Sequence, residues 1–74
     1  MKPGELVMTK RDAPAPLVDD NGDTIRIEGG TPALIINTQD KVRNVQGEPL
    51  LRVLTNGVVG TLWPSELEEL DEAR

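Results

Sequence analysis

Residues Leu50–Leu70 read LLRVLTNGVVGTLWPSELEEL and decide the fold class of this 74-residue chain. Two runs of β-compatible residues, Leu50–Thr55 and Val58–Trp63, flank Asn56-Gly57. Asn-Gly accepts the positive φ angles of a two-residue turn and is a strong local signal for a β-hairpin. The stretch therefore predicts an antiparallel hairpin and an all-β protein.

The register of this hairpin separates its side chains into two faces, because side chains alternate along a strand. The first face carries Leu51, Val53, Thr55, Val58, Gly60 and Leu62. The second face carries Arg52, Thr61 and four large apolar residues. Those four are the candidate interface residues Leu50, Leu54, Val59 and Trp63.

Both faces of the hairpin are apolar, whereas an antiparallel sheet commonly buries one face and leaves the other in water. The second face therefore requires cover. Within the chain, the segment 10–30 or the segment Leu67–Leu70 would fold over it. Alternatively, a partner protein or a second copy docks there with Trp63 as the anchor, since buried aromatic residues often dominate interfaces.

The rest of the chain also fits an all-β protein, because Gly and Pro punctuate short apolar runs. We expect a short first strand at Leu6–Met8 and a local hairpin over Leu17–Ile27, with Asn21-Gly22 in a type I′ turn. The nearly continuous apolar run Pro32–Thr38 predicts a strand that is covered on both faces. The polar segment Gln39–Pro49 predicts a loop, which Val42 and Val45 would pin to the core.

Pro64 ends the last strand of the hairpin. Ser65 followed by Glu68 fits a capping box and predicts a single helical turn at Ser65–Leu67. The leucine spacing in Leu67–Leu70 favours a continuing helix, whereas a five-stranded barrel would use the same segment as its closing strand. The chain is expected to be one domain over residues 1–74, with an acidic tail from about residue 71.

Composition narrows the functions open to the chain. It contains neither His nor Cys, which removes the commonest general base and the thiol nucleophile, so we expect no enzyme and no cofactor. Thirteen acidic against eight basic residues give a net charge of −5, which disfavours nucleic-acid binding. No apolar run approaches the roughly 18 residues of a membrane span. A protein partner or self-association is the expected mode of action.

Two charged groups have alternative interpretations. Asp19, Asp20 and Asp23 surround Gly22 and predict a turn; weak Ca²⁺ binding is the alternative, although the spacing fails the EF-hand pattern at its first ligand. Lys41, Arg43 and Arg52 predict a polar loop edge, with a small RNA-binding spot as the alternative. No metal site is expected.

The pattern NG-x-x-G-x-x-x-P-S-x-L over Asn56–Leu67 resembles the distal end of SH3-like small β-barrels. In that fold a distal hairpin is followed by a Pro-Ser helical turn and a short last strand. The opening residues Pro3–Val7 are similar to the first strand of the same group. The resemblance implies a barrel of about five strands with a single helical turn before the last strand.

Small proteins with this resemblance are frequent in tailed bacteriophages. It therefore implies a non-enzymatic assembly or virion-associated module, located in the host cytoplasm or in the virion. Similar barrels also occur in ribosome-associated modules, which implies an RNA-, ribosome- or transcription-associated module as the alternative. The chain has no Tyr and no Phe. It thus lacks the aromatic groove with which SH3 domains bind Pro-rich peptides, and we do not expect that activity.

Overall fold

The computed structural model describes residues 1–70, which form seven strands and one 3₁₀ turn. The tail predicted from about residue 71 lies outside the described residues. Residues 1–70 contain no helix that is long and apolar enough to cross a bilayer. The elements are β1 (Leu6–Thr9), β2 (Ala15–Asp19), β3 (Thr24–Ile27), β4 (Pro32–Arg43), β5 (Pro49–Thr55), β6 (Val58–Leu62), η1 (Pro64–Glu66) and β7 (Leu67–Glu69).

The strands form one curled antiparallel sheet in the order β3-β2-β6-β5-β4-β1-β7, which makes a half-barrel. The all-β prediction is confirmed, but the predicted count of about five strands is wrong. The hairpin predicted over Leu17–Ile27 does not stand apart from the sheet. Its first strand, β2, pairs with β6 through Val18 and Thr61. The hairpin of β2 and β3 thereby adds two strands to the sheet.

The core lies on the concave inner face of the half-barrel. Two hydroxyl groups are also buried there, and both are paired: Thr9 Oγ1 donates to Glu28 O at 2.7 Å, and Thr55 Oγ1 donates to Pro32 O at 2.8 Å. These bonds remove the cost of burying an unpaired polar group. The core residues are Val7, Ala15, Leu17, Ile27, Ala33, Ile35, Leu51, Val53, Leu62 and Leu67.

The β5–β6 hairpin has the predicted register, with Leu54 opposite Val59. Asn56 and Gly57 have φ angles of 54° and 76°, as a two-residue turn of the primed type requires. Strand β6 ends at Leu62, so Trp63 lies outside the hydrogen-bonded ladder of β5 and β6.

The turn between β2 and β3 differs from the predicted type I′ turn. Asp19 pairs with Asp23 around a three-residue loop, and only Gly22 within it has a positive φ, of 87°. The Asp19 carboxylate decides this geometry, because its Oδ1 accepts bonds from the backbone nitrogens of Asn21 and Asp23, both at 2.9 Å. The acidic cluster therefore builds a turn, as the sequence predicts.

The first part of β4 is covered on one face only, so the prediction of cover on both faces of Pro32–Thr38 is wrong. Ala33 and Ile35 are buried, whereas Leu34 and Ile36 point to the opposite face and are exposed. The apolar run arises because this strand contributes apolar side chains both to the core and to the outer surface of the sheet.

Strand β4 continues through half of the segment that was predicted as a loop. It pairs with β5 as far as Arg43, with irregular register between Gln39 and Arg43. Val42 and Val45 are both exposed, so neither pins the segment to the core, and that prediction is wrong. We call residues 39–49, the two strand ends and the loop between them, the arm.

A single helical turn before the last strand is confirmed as η1, but it begins and ends one residue earlier than the predicted Ser65–Leu67, and its cap differs from the predicted one. Trp63 N donates to Glu66 Oε1 at 2.9 Å and Glu66 N donates to Trp63 O at 2.9 Å, a reciprocal arrangement that Ser65 does not take part in. After η1 the chain forms β7, which pairs with β1. The alternatives for Leu67–Leu70 are thereby resolved in favour of a strand.

Candidate interaction surfaces

The four candidate interface residues lie on the outer face of the sheet, and the structure divides them into two pairs. Leu54 is exposed, while Leu50, Val59 and Trp63 are half-buried. Leu50 and Leu54 are four residues apart on one strand, or about 13 Å. Arg52 projects from the same face between them. The outer face therefore presents two separate apolar surfaces.

The first surface is a row of aliphatic side chains across four adjacent strands. Leu6 lies opposite Leu34, Leu34 opposite Leu54, and Leu54 opposite Val59. The exposed fractions are 45% for Leu6, 38% for Leu34 and 39% for Leu54. Neighbouring strands are about 4.8 Å apart, so the row spans roughly 14 Å. We call these four residues the aliphatic row.

Sequence reasoning identified Leu54 and Val59 of the aliphatic row but missed Leu6 and Leu34. Their positions depend on the pairing of β4 with β1 and with β5, and the hairpin register alone does not reach those strands. One signal was present in the sequence. Four consecutive apolar residues, 33–36, mean that both faces of a strand are apolar.

The second surface is an open groove that contains Leu50 and the only Trp of the chain, Trp63. Its volume is about 430 Å³. Strand β2, which pairs with β6, supplies two walls, so the segment 10–30 lies beside Leu50 and Trp63. We call this surface the Trp63 groove; it is lined by Pro16, Val18, Leu50, Thr61, Trp63 and Glu66.

The polar groups of the Trp63 groove serve local structure. Thr61 Oγ1 makes a long bond of 3.4 Å to Val18 O, and one carboxylate oxygen of Glu66 accepts the Trp63 backbone N–H. The remaining lining is apolar. The groove is therefore suited to an aliphatic side chain, with a single negative charge at its rim.

The basic residues that were considered for RNA binding do not converge. Arg52 Nη2 lies 2.9 Å from Asp20 Oδ2 and bridges β5 to the β2–β3 turn. Arg43 Nη2 lies 3.9 Å from Asp40 Oδ1, and its Nη1 donates to Gly47 O at 2.6 Å. Two of the three cations are thus occupied by partners within their own chain.

The acidic residues in the described part of the chain do not form a cation site. Within residues 1–70, no three carboxylates come together in a group that could hold a metal ion. The Asp19 carboxylate of the Ca²⁺ alternative is occupied by two backbone N–H donors.

Comparison of the chain with protein-family models, with curated proteins and with solved structures found no match. The resemblance to SH3-like barrels accordingly remains a prediction.

Proposed function

We propose that this protein is a non-enzymatic protein-interaction module that docks a partner protein through the aliphatic row. The observation that carries the proposal is the alignment of Leu6, Leu34 and Leu54, each about two-fifths exposed, in direct cross-strand contact positions. Isolated exposed apolar residues are ordinary, whereas contiguous apolar patches mark interaction sites.

The row has the composition expected at the centre of an interface. Its four members are aliphatic and uncharged, and charged residues are depleted from interface cores. Arg52, the nearest cation on β5, is already paired with Asp20, so docking beside it leaves no isolated charge. Complete burial of a Leu side chain contributes about 1.5–3 kcal/mol relative to exposure, and the exposed fractions leave part of that for a partner.

A more specific form of the proposal is a bacteriophage-encoded assembly or virion-associated protein with an SH3-like barrel, acting in the host cytoplasm or in the virion. Its support is the sequence resemblance at Asn56–Leu67, together with a 3₁₀ turn that precedes a short last strand. The alternative of an RNA- or ribosome-associated module has less support, because Arg43 and Arg52 interact with acids of their own chain.

A photo-crosslinking experiment tests the proposed docking surface. A benzophenone amino acid placed at Leu34 should crosslink one protein in a lysate of the source cells, and the same amino acid at Thr24, an exposed residue on β3, should not. The double variant Leu34→Lys/Leu54→Glu should fold, since both side chains are exposed and the two new charges of opposite sign face each other across β4 and β5, and it should lose the partner in a pull-down. Circular dichroism provides the folding control.

Two results would reject the proposal. One is equal capture of the partner by the wild type and by the double variant. The other is the absence of any crosslink specific to position 34 under conditions in which the wild type is folded.

A further inference from the structure

The tip of the arm is a tightly hydrogen-bonded loop that presents an apolar side chain to water. Asn44 Oδ1 accepts bonds from Gln46 N and Glu48 N, both at 3.0 Å, and Asn44 O accepts one from Gly47 N at 2.9 Å. Val45 sits inside this loop and is 98% exposed. These bonds fix the backbone of the loop around Val45, so the loop loses little conformational entropy when it binds another surface.

A receptor for this side chain exists on the same molecule. The Trp63 groove is open, mostly apolar and about 430 Å³ in volume, which is enough for a Val side chain and its neighbours on the loop. Val45 cannot be assigned to the groove of its own chain, because its exposure shows that it contacts almost nothing there.

The arm places the two features at its opposite ends. Leu50, a wall of the groove, lies opposite Gln39 where the arm begins, and Val45 lies at the tip beyond Arg43. Two arms that lie side by side and antiparallel bring each tip to the base of the other arm. A twofold axis then makes two identical contacts and closes the assembly.

Charge favours this arrangement over packing of the two bodies face to face. The arm contains two acidic residues, Asp40 and Glu48, and two basic residues, Lys41 and Arg43, so its net charge is zero. The whole chain carries −5. Contact through the arms therefore adds no net charge to the interface.

We propose that the protein forms a twofold dimer in which Val45 of each copy occupies the Trp63 groove of the other copy. The dimer uses a surface different from the aliphatic row, so the row stays available for a partner of another kind. The inference thus goes beyond the proposed function and does not depend on it.

Sedimentation equilibrium of the full chain and the fluorescence of Trp63 test the dimer together. The wild type should dimerise with concentration, and the emission of Trp63 should shift to shorter wavelength as the groove loses water. The variant Val45→Asp should weaken dimerisation by about tenfold or more, as truncation of an interface hot spot does, and should keep the monomer emission. Leu6→Asp, on the aliphatic row, is the matched control and should dimerise as the wild type does.

The remaining outcomes would overturn the inference. A wild type that stays monomeric at millimolar concentration excludes the dimer. Dimerisation that survives Val45→Asp and is lost in Leu6→Asp places self-association on the aliphatic row instead. Because Val45 lies on an exposed loop, its substitution leaves the fold intact, and circular dichroism checks this. Neither outcome decides whether a partner protein docks on the aliphatic row, which the crosslinking experiment at Leu34 tests independently.

Discussion

The two faces of β5 are both apolar but have opposite surroundings. On the inner face, Leu51 and Val53 are buried to 1% exposure or less. On the outer face, Leu54 remains 39% exposed although its cross-strand neighbours are also aliphatic. The curl of the sheet explains the difference, because side chains converge on the concave face and exclude water, whereas they diverge on the convex face. Apolar composition shows that a face needs cover, and curvature decides whether the chain itself provides it.

The largest expected effect comes from the same substitution on the two faces. Leu51→Ala should lower the free energy of unfolding by about 2–5 kcal/mol, because it opens a cavity in the core. Leu54→Ala removes the same atoms from a site that is already partly in water, and should cost roughly 1 kcal/mol or less. Urea denaturation of the two variants measures both values. Equal losses would show that the outer face is covered in the monomer after all.

A smaller difference should follow from adding atoms instead of removing them. Gly60 occupies an inner position of β6, where a Cβ atom would lie 2.7 Å from Leu17 Cγ and 2.7 Å from Val18 O. Gly60→Ala should therefore destabilise the protein by about 1–3 kcal/mol through overpacking. Val59→Leu enlarges the adjacent outer side chain and should stay within about 0.5 kcal/mol of the wild type. Thermal unfolding distinguishes the two, and a neutral Gly60→Ala would mean that β2 can move away from β6.

The smallest effect is expected for the ion pair on the outer face. Asp20→Asn should cost roughly 0.2–1 kcal/mol, because the pair with Arg52 is solvent-accessible and the lost Coulomb attraction is screened. A double-mutant cycle with Arg52→Gln isolates the coupling, which should shrink further at high salt. A coupling well above this range, insensitive to salt, would indicate that the outer face around Arg52 is shielded from water.

The part of the fold that local residues encode could be predicted from the sequence. The β5–β6 hairpin was predicted with its register because Asn56-Gly57 supplies both positive φ angles within the turn itself. The same dipeptide at Asn21-Gly22 predicted the wrong turn type, because the side chain of Asp19 accepts hydrogen bonds that favour a different turn. Turn dipeptides thus predict a hairpin more securely than they predict the turn type.

The long-range features of the structure could not be predicted in the same way. Residues 39–43, the first strand end of the arm, are mostly polar and largely exposed, so their sequence shows no alternation although Gln39 and Arg43 pair with β5. The aliphatic row requires that β1 and β5 flank β4, and no local pattern states which strands are neighbours. The four candidate interface residues consequently share the outer face of the hairpin, but only two of them, Leu54 and Val59, belong to the aliphatic row.

The pairing of the first strand with the last has a consequence for synthesis of the protein. Strand β1 pairs with β7, with Val7 opposite Glu69, so this edge of the sheet joins residues from the two ends of the described chain. While the ribosome is still making β7, β1 can pair only with β4. The part of the core that Leu67 later covers is then exposed to water. Long-range pairings of this kind slow folding, because the chain loses conformational entropy in bringing distant segments together before their contacts stabilise the structure. Completion of the sheet is therefore a late event that follows translation of the last strand, and the arm, whose contacts are local, is able to form well before it.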